Sequence, residues 1–151
     1  MRKVSILGFV VGGIVDVVSS VILGLPFGLY ALSQLDMAHT PKDQLQHAIN
    51  LAMHANIPLH AAELMVGIAC SVLGGYVAAA IAKHHEMLNG LLSAYLCTGM
   101  GIFVIAAHED SDPLVLQLLL LIASPAAALL GGYLRSRQTR VRLHPAGTSA
   151  G

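Results

Sequence analysis

Apolar residues in this chain come in long unbroken blocks rather than at amphipathic spacing. Four blocks reach the length of about 20 residues that crosses a bilayer core: residues 4–32, 61–82, 88–107 and 113–134. Backbone polar groups in lipid must be satisfied within the segment, so the blocks predict helices; four strands of this length would not close a barrel. The pattern changes between the first two blocks. Leu45, Ile49, Ala52 and Met53 recur on one helical face, with Asp43, His47, Asn50 and His54 on the other. This predicts a short amphipathic helix over residues 41–55, with Thr40 as N-cap and Pro41 in its first turn, lying on the outer membrane surface or over the mouth of the bundle. Asn56-Ile57-Pro58 ends it. The expected fold is all-α: an integral membrane four-helix bundle with one short outer helix. Residues 1–135 form its transmembrane domain and residues 136–151 a basic, flexible cytoplasmic tail.

Composition supports this class. Of 151 residues, 56% are hydrophobic and 11% charged, against about 25% charged in an ordinary soluble domain. The zero formal net charge excludes a strongly basic nucleic-acid binder. Arg2 and Lys3 before an apolar run resemble the start of a signal peptide, but the run far exceeds the usual ~7–15 residues, so it is read as a true span. Arg2, Lys3, Lys83, Arg135, Arg137, Arg140 and Arg142 fall on one side of a four-span topology and Lys42 alone on the other. The positive-inside rule makes the basic side cytoplasmic, with both termini inside. The basic tail also suits anionic headgroups.

Small residues spaced by four run through the spans: Gly8, Gly12, Asp16, Ser20, Gly24 and Gly28 in the first, Gly67, Ser71, Gly75 and Ala79 in the second, Ser124, Ala128 and Gly132 in the last. Such stripes let helix backbones approach closely. Spacing by four drifts about 40° per step, so the first ladder must meet more than one neighbour. A spare small-residue face also offers a surface for self-association or for another membrane protein. Pro125 interrupts the ladder of the last span, which predicts a kink there. The endings Gly74-Gly75-Tyr76 and Gly131-Gly132-Tyr133 echo one another, as in a duplicated hairpin or as convergent packing chemistry.

Asp16 is the only charge deep in a span. An ionisable group there is costly, by about 2.5 kcal/mol or more, and marks an inward-facing or functional position. It has three readings: a carboxyl that ties helix 1 to its neighbours, with Ser19 and Ser20 as the nearest partners; a proton- or cation-coupling site; or a contact across an oligomer interface. Cys70 and Cys97 sit inside spans and read as small hydrophobes rather than a disulfide. The outer histidines and acids, above all His54, His60, Glu63 and His108, include a His60–Glu63 pair on one helical face, ligand chemistry that suits zinc and related ions. There is no HExxH, nucleophile elbow or phosphate loop, so neither an enzyme nor a cofactor is expected.

The run Gly74-Gly75-Tyr76-Val77-Ala78-Ala79-Ala80-Ile81-Ala82-Lys83, followed by Glu86 and Asn89-Gly90, resembles small uncharacterised bacterial inner-membrane proteins with four spans. Gly12-Gly13-Ile14-Val15-Asp16 and the ending from Pro125 through Gly131-Gly132-Tyr133-Leu134-Arg135 fit the same pattern. Ala80 departs from it, standing where an arginine is expected. The resemblance implies a bacterial inner-membrane setting and topology but no activity. The sequence-level expectation is therefore a structural, accessory or interaction protein, with a small proton- or cation-coupled transporter or channel using Asp16 as the alternative.

Overall fold

What the helices bury is the reverse of a water-soluble core. In the computed structural model, which describes residues 5–35, 41, 44–82, 85–107 and 114–143, the buried hydrophobic residues are mostly alanine: Ala31, Ala78, Ala79, Ala82, Ala94, Ala127 and Ala128, with Cys70 and Met53. Leucine, isoleucine and phenylalanine face outward, as at Ile122 (70% exposed) and Phe103 (70%). A soluble protein hides such surface and exposes small or polar residues. The opposite arrangement belongs in lipid, where helix association rests on close backbone packing rather than on apolar burial.

Five helices follow in order: α1 (Ile6–Ser33), α2 (Leu45–Ala55), α3 (Ile57–Ala82), α4 (Glu86–Ala107) and α5 (Leu114–Leu143); among the described residues there is no strand. Three of them, α1, α3 and α5, are long and apolar enough to cross a membrane, and only 22%, 33% and 17% of their most apolar stretches is buried. The protein is a helical membrane protein. The apolar part of α4, Met87–Phe103, is shorter.

Contacts fix the directions. Gly8 lies against Ala82 and Gly12 against Ala78, so α1 and α3 are antiparallel. Ser71 meets Ser124 and Gly75 meets Ala128, so α3 and α5 are parallel. Gly90 faces Gly132 while Gly101 faces Leu121, which sets α4 antiparallel to α5. The α3 helix packs against all four others, whereas α1 and α5 do not pack on each other. The section is a rhomb with the α3–α4 pair across its short diagonal.

The two glycine pairs sit at its closest crossings, and adjacent glycines, about 100° apart around a helix, each serve a different neighbour. A Cβ on Gly74 would lie 2.8 Å from the Gly12 carbonyl on α1, and one on Gly75 would run into the Ala128 carbonyl on α5. Gly131 sits against the Val72 carbonyl of α3, and Gly132 against Gly90 of α4. The echoed motifs therefore pack on each other. Beyond them lie aromatic and basic groups: the Tyr76 hydroxyl donates to Gln138 Oε1 at 2.7 Å, and Arg135 and Arg137 stand 5.9 and 5.7 Å from the Tyr76 and Tyr133 rings. At the same end Ser5 caps α1, its hydroxyl accepting from Gly8 N–H (3.1 Å). Fully buried Asn89 accepts from Ser5 N–H (3.1 Å) and donates to the carbonyl of His85 (3.1 Å), a residue in the left-handed region (φ 46°).

Several boundaries differ from the sequence pattern. The α5 helix continues to Leu143 where a flexible tail was expected from residue 136, because no glycine or proline intervenes between Gly132 and Pro145 and Gln138 is held by Tyr76. The α1 helix runs through Pro26 to Ser33, and α5 through Pro125. The α2 helix begins at Leu45, with Pro41 ahead of it; Thr40, Lys42 and Asp43 lie outside the described residues. A single residue, Asn56, separates α2 from α3, its side chain accepting from Leu59 N–H at 3.3 Å.

Gly75→Val, which must push Ala128 away, is expected to lower stability in detergent by about 3 kcal/mol. Gly28→Ala meets nothing within 4 Å and should change it by less than about 1 kcal/mol. Thermal unfolding followed by circular dichroism separates the two.

Candidate functional site

Close approach of α1 to α3 delivers Asp16 to the middle of the rhomb, where it is 1% exposed. No residue wider than glycine at position 74 would permit this, since a Cβ there would lie 2.7 Å from that of Asp16. Both carboxyl oxygens accept hydrogen bonds. Ser71 Oγ of α3 donates to Oδ1 (3.3 Å), and Cys97 Sγ of α4 donates to Oδ2 (3.1 Å). Ser71 Oγ also lies 3.2 Å from Ser124 Oγ of α5. A hydroxyl has one hydrogen. Because that of Ser71 is directed at Asp16, Ser124 must be the donor to Ser71. The resulting relay, Ser124 to Ser71 to Asp16 with Cys97 closing the other side, touches all four long helices and joins α1 to α5, which share no packing of their own.

The partners of Asp16 are thus Ser71 and Cys97, not the expected Ser19 and Ser20. Neighbours in sequence were outcompeted because the short aspartate side chain projects toward the crossing helix rather than along its own. Cys97, read as a small hydrophobe, is a donor; only its depth, similar to that of Cys70, hinted at a central position. Cys70 is buried, and both thiols are free.

Above the relay the ladder changes purpose. Gly8, Gly12, Gly75, Ala79, Ala128 and Gly132 pack as the spacing predicts. Gly24, Gly28 and Gly67 do not: a Cβ at any of them would meet nothing within 4 Å. Open space lies beside these three glycines, and α2 packs on both α1 and α3 without filling it. The space is a cavity of about 440 Å³ with Asp16, Ser71, Cys97 and Ser124 at its floor, Ser20, Gly24 and Gly67 on its sides, and Asn50, Met53, His54, His60 and Glu63 toward its mouth. The α2 helix therefore turns Asn50 and His54 inward with Met53, although the sequence pattern placed them on its polar, outer face; His47 is exposed.

The candidate metal residues come together only in part. The His54 and His60 rings meet edge to face with centroids 4.4 Å apart, and His60 Nδ1 lies 3.7 Å from Glu63 Oε2. Among the described residues no group of three or more His, Cys, Asp or Glu is arranged to hold a metal ion, and His108 lies outside those residues. Of the four residues expected to offer metal ligands, His54, His60 and Glu63 form a polar cluster at the cavity mouth. Pro125 stands beside Ser124 at the depth of the relay.

Compared with known proteins, the chain matches no family model, no curated protein and no solved structure.

Ser71→Ala strips Asp16 of one donor and Ser124 of its acceptor, and is expected to cost about 1.5 kcal/mol of stability. Cys97→Ser, which keeps a donor, should cost less than Cys97→Ala. A double-mutant cycle of Ser71→Ala with Ser124→Ala measures the relay directly: a coupling of about 1 kcal/mol is expected, and strict additivity would count against a continuous chain.

Proposed function

We propose that this is a four-span membrane protein, both chain ends cytoplasmic, that passes a proton or small cation by way of Asp16. The observation that carries the reading is the cavity running from the His54–His60–Glu63 cluster to Asp16, the only buried carboxyl among the described residues. The sequence pattern alone favours an accessory or packing protein, because a stripe of small residues serves close contact. The outer half of that stripe borders open space instead, and this shifts the balance toward a solute path. Intramembrane carboxyls that line cavities are recurrent proton and ion sites. The α4 helix, 22 residues from end to end, is counted as the fourth span. Orientation follows from the order of the sequence, in which seven of the eight Lys and Arg adjoin the helix ends that carry Ser5, His85 and Arg135; the cavity mouth then faces outward. The sequence resemblance adds a bacterial inner membrane as the setting.

In liposomes loaded with a pH-sensitive dye, the protein is expected to pass protons down an imposed gradient, and Asp16→Asn to abolish the flux while melting as a folded helical bundle. Equal flux from the two proteins removes the reading. A second reading, a carboxyl that only locks the bundle, is favoured by one observation: both of its oxygens are already hydrogen-bonded. On that reading Asp16→Asn loses stability and there is no flux to lose. Topology is checked separately. A reporter fused after Gly151 should be active on the cytoplasmic side, and activity on the outer side would reverse the assignment.

A further inference from the structure

We infer that the cavity accepts a small aliphatic ammonium ion bearing N–H donors, an inference that rests on reading the cavity as a cation path. Its charge is one-sided. Asp16 at the floor and Glu63 at the mouth are acidic, and among the described residues no lysine or arginine lines it. Its floor is rich in acceptors and poor in donors. The Ser71 hydrogen goes to Asp16 and the Ser124 hydrogen to Ser71, so both hydroxyl oxygens keep lone pairs for a ligand. The Asp16 carboxylate has about four acceptor sites and uses two of them on Ser71 and Cys97. A ligand that completes this floor brings several N–H bonds and one positive charge, and charge-assisted bonds of that kind are the stronger ones.

Competing cations fit less well. A quaternary ammonium has no N–H to give and is held by aromatic faces; no phenylalanine, tyrosine or tryptophan lines the cavity. A bare divalent metal needs converging ligands, and among the described residues no such set exists. The walls between floor and mouth are aliphatic, including Leu64 and Leu120, which suits a carbon chain more than a hydrated ion. The volume, about 440 Å³, falls within the range of small-molecule pockets. Glu63, 40% exposed with His60 at 3.7 Å, offers the entering cation its first countercharge.

The test is calorimetric titration of the full chain in detergent at neutral pH with n-butylammonium chloride and with tetramethylammonium chloride. Saturable binding of n-butylammonium, about tenfold or more tighter than that of tetramethylammonium, is expected, and Asp16→Asn should weaken it by about tenfold. Gly67→Leu provides a control that leaves the relay intact. Its side chain enters open space and should abolish binding by filling the cavity. Equal affinity for the two ions, no n-butylammonium binding, or binding undiminished in Gly67→Leu would each overturn the inference. Absent binding together with an Asp16-dependent proton flux refutes the ammonium site alone. Binding blocked by Gly67→Leu without such a flux supports the site and removes transport.

Discussion

One carboxyl and three small donors on four different helices hold the centre of this molecule. Lipid gives helices no hydrophobic reason to associate, so the bundle depends on contacts that lipid cannot imitate. Close glycine crossings supply shape, and the Asp16 relay supplies direction. The two are not independent. Only because Gly74 and Gly12 let the backbones of α1 and α3 nearly touch does Asp16 reach Ser71. Only through Ser71 and Ser124 are α1 and α5 joined. The cavity lies next to this contact, with the polar relay as its floor.

The same four-residue spacing therefore does opposite things along α1. From Gly8 to Asp16 it removes bulk so that helices can meet; at Gly24 and Gly28 it removes bulk where nothing meets it. Sequence alone could not divide the two halves, since glycine at i, i+4 is identical chemistry in both. What distinguishes them is whether a neighbouring backbone comes within reach, a property of the packing and not of the single helix. The α2 helix raised a similar ambiguity. An apolar face covers a membrane surface or a bundle mouth equally well, and the inward turn of Asn50 and His54 came from α2 leaning over the gap.

Much else was legible. A lone charge in a long apolar block announced Asp16, and block lengths announced the long helices to within a few residues, with α5 the exception at its basic end. Its partners were not legible, because they lie 55 and 81 residues away and serine and cysteine are unremarkable in spans. Helical periodicity specifies which face a residue occupies and says nothing about which distant face comes to meet it. The outer polar residues show the same limit: His60 and Glu63 share a face, as their spacing implies, whereas His54 arrives across the Asn56 joint as a ring packed on a ring.

Those sequence separations have a consequence for biosynthesis. Chains are made from the N-terminus and inserted as they emerge. Asp16 therefore precedes Ser71 by 55 residues and Cys97 by 81, and during that interval it has neither partner. A lone helix with a bare carboxylate at mid-depth is a poor resident of a bilayer. The first span must wait at the edge of the insertion machinery or hold its carboxyl in the uncharged form until α3 arrives. The relay is thus also a checkpoint in time: the first helix is not fully at home in the membrane until α3 and then α4 have followed it.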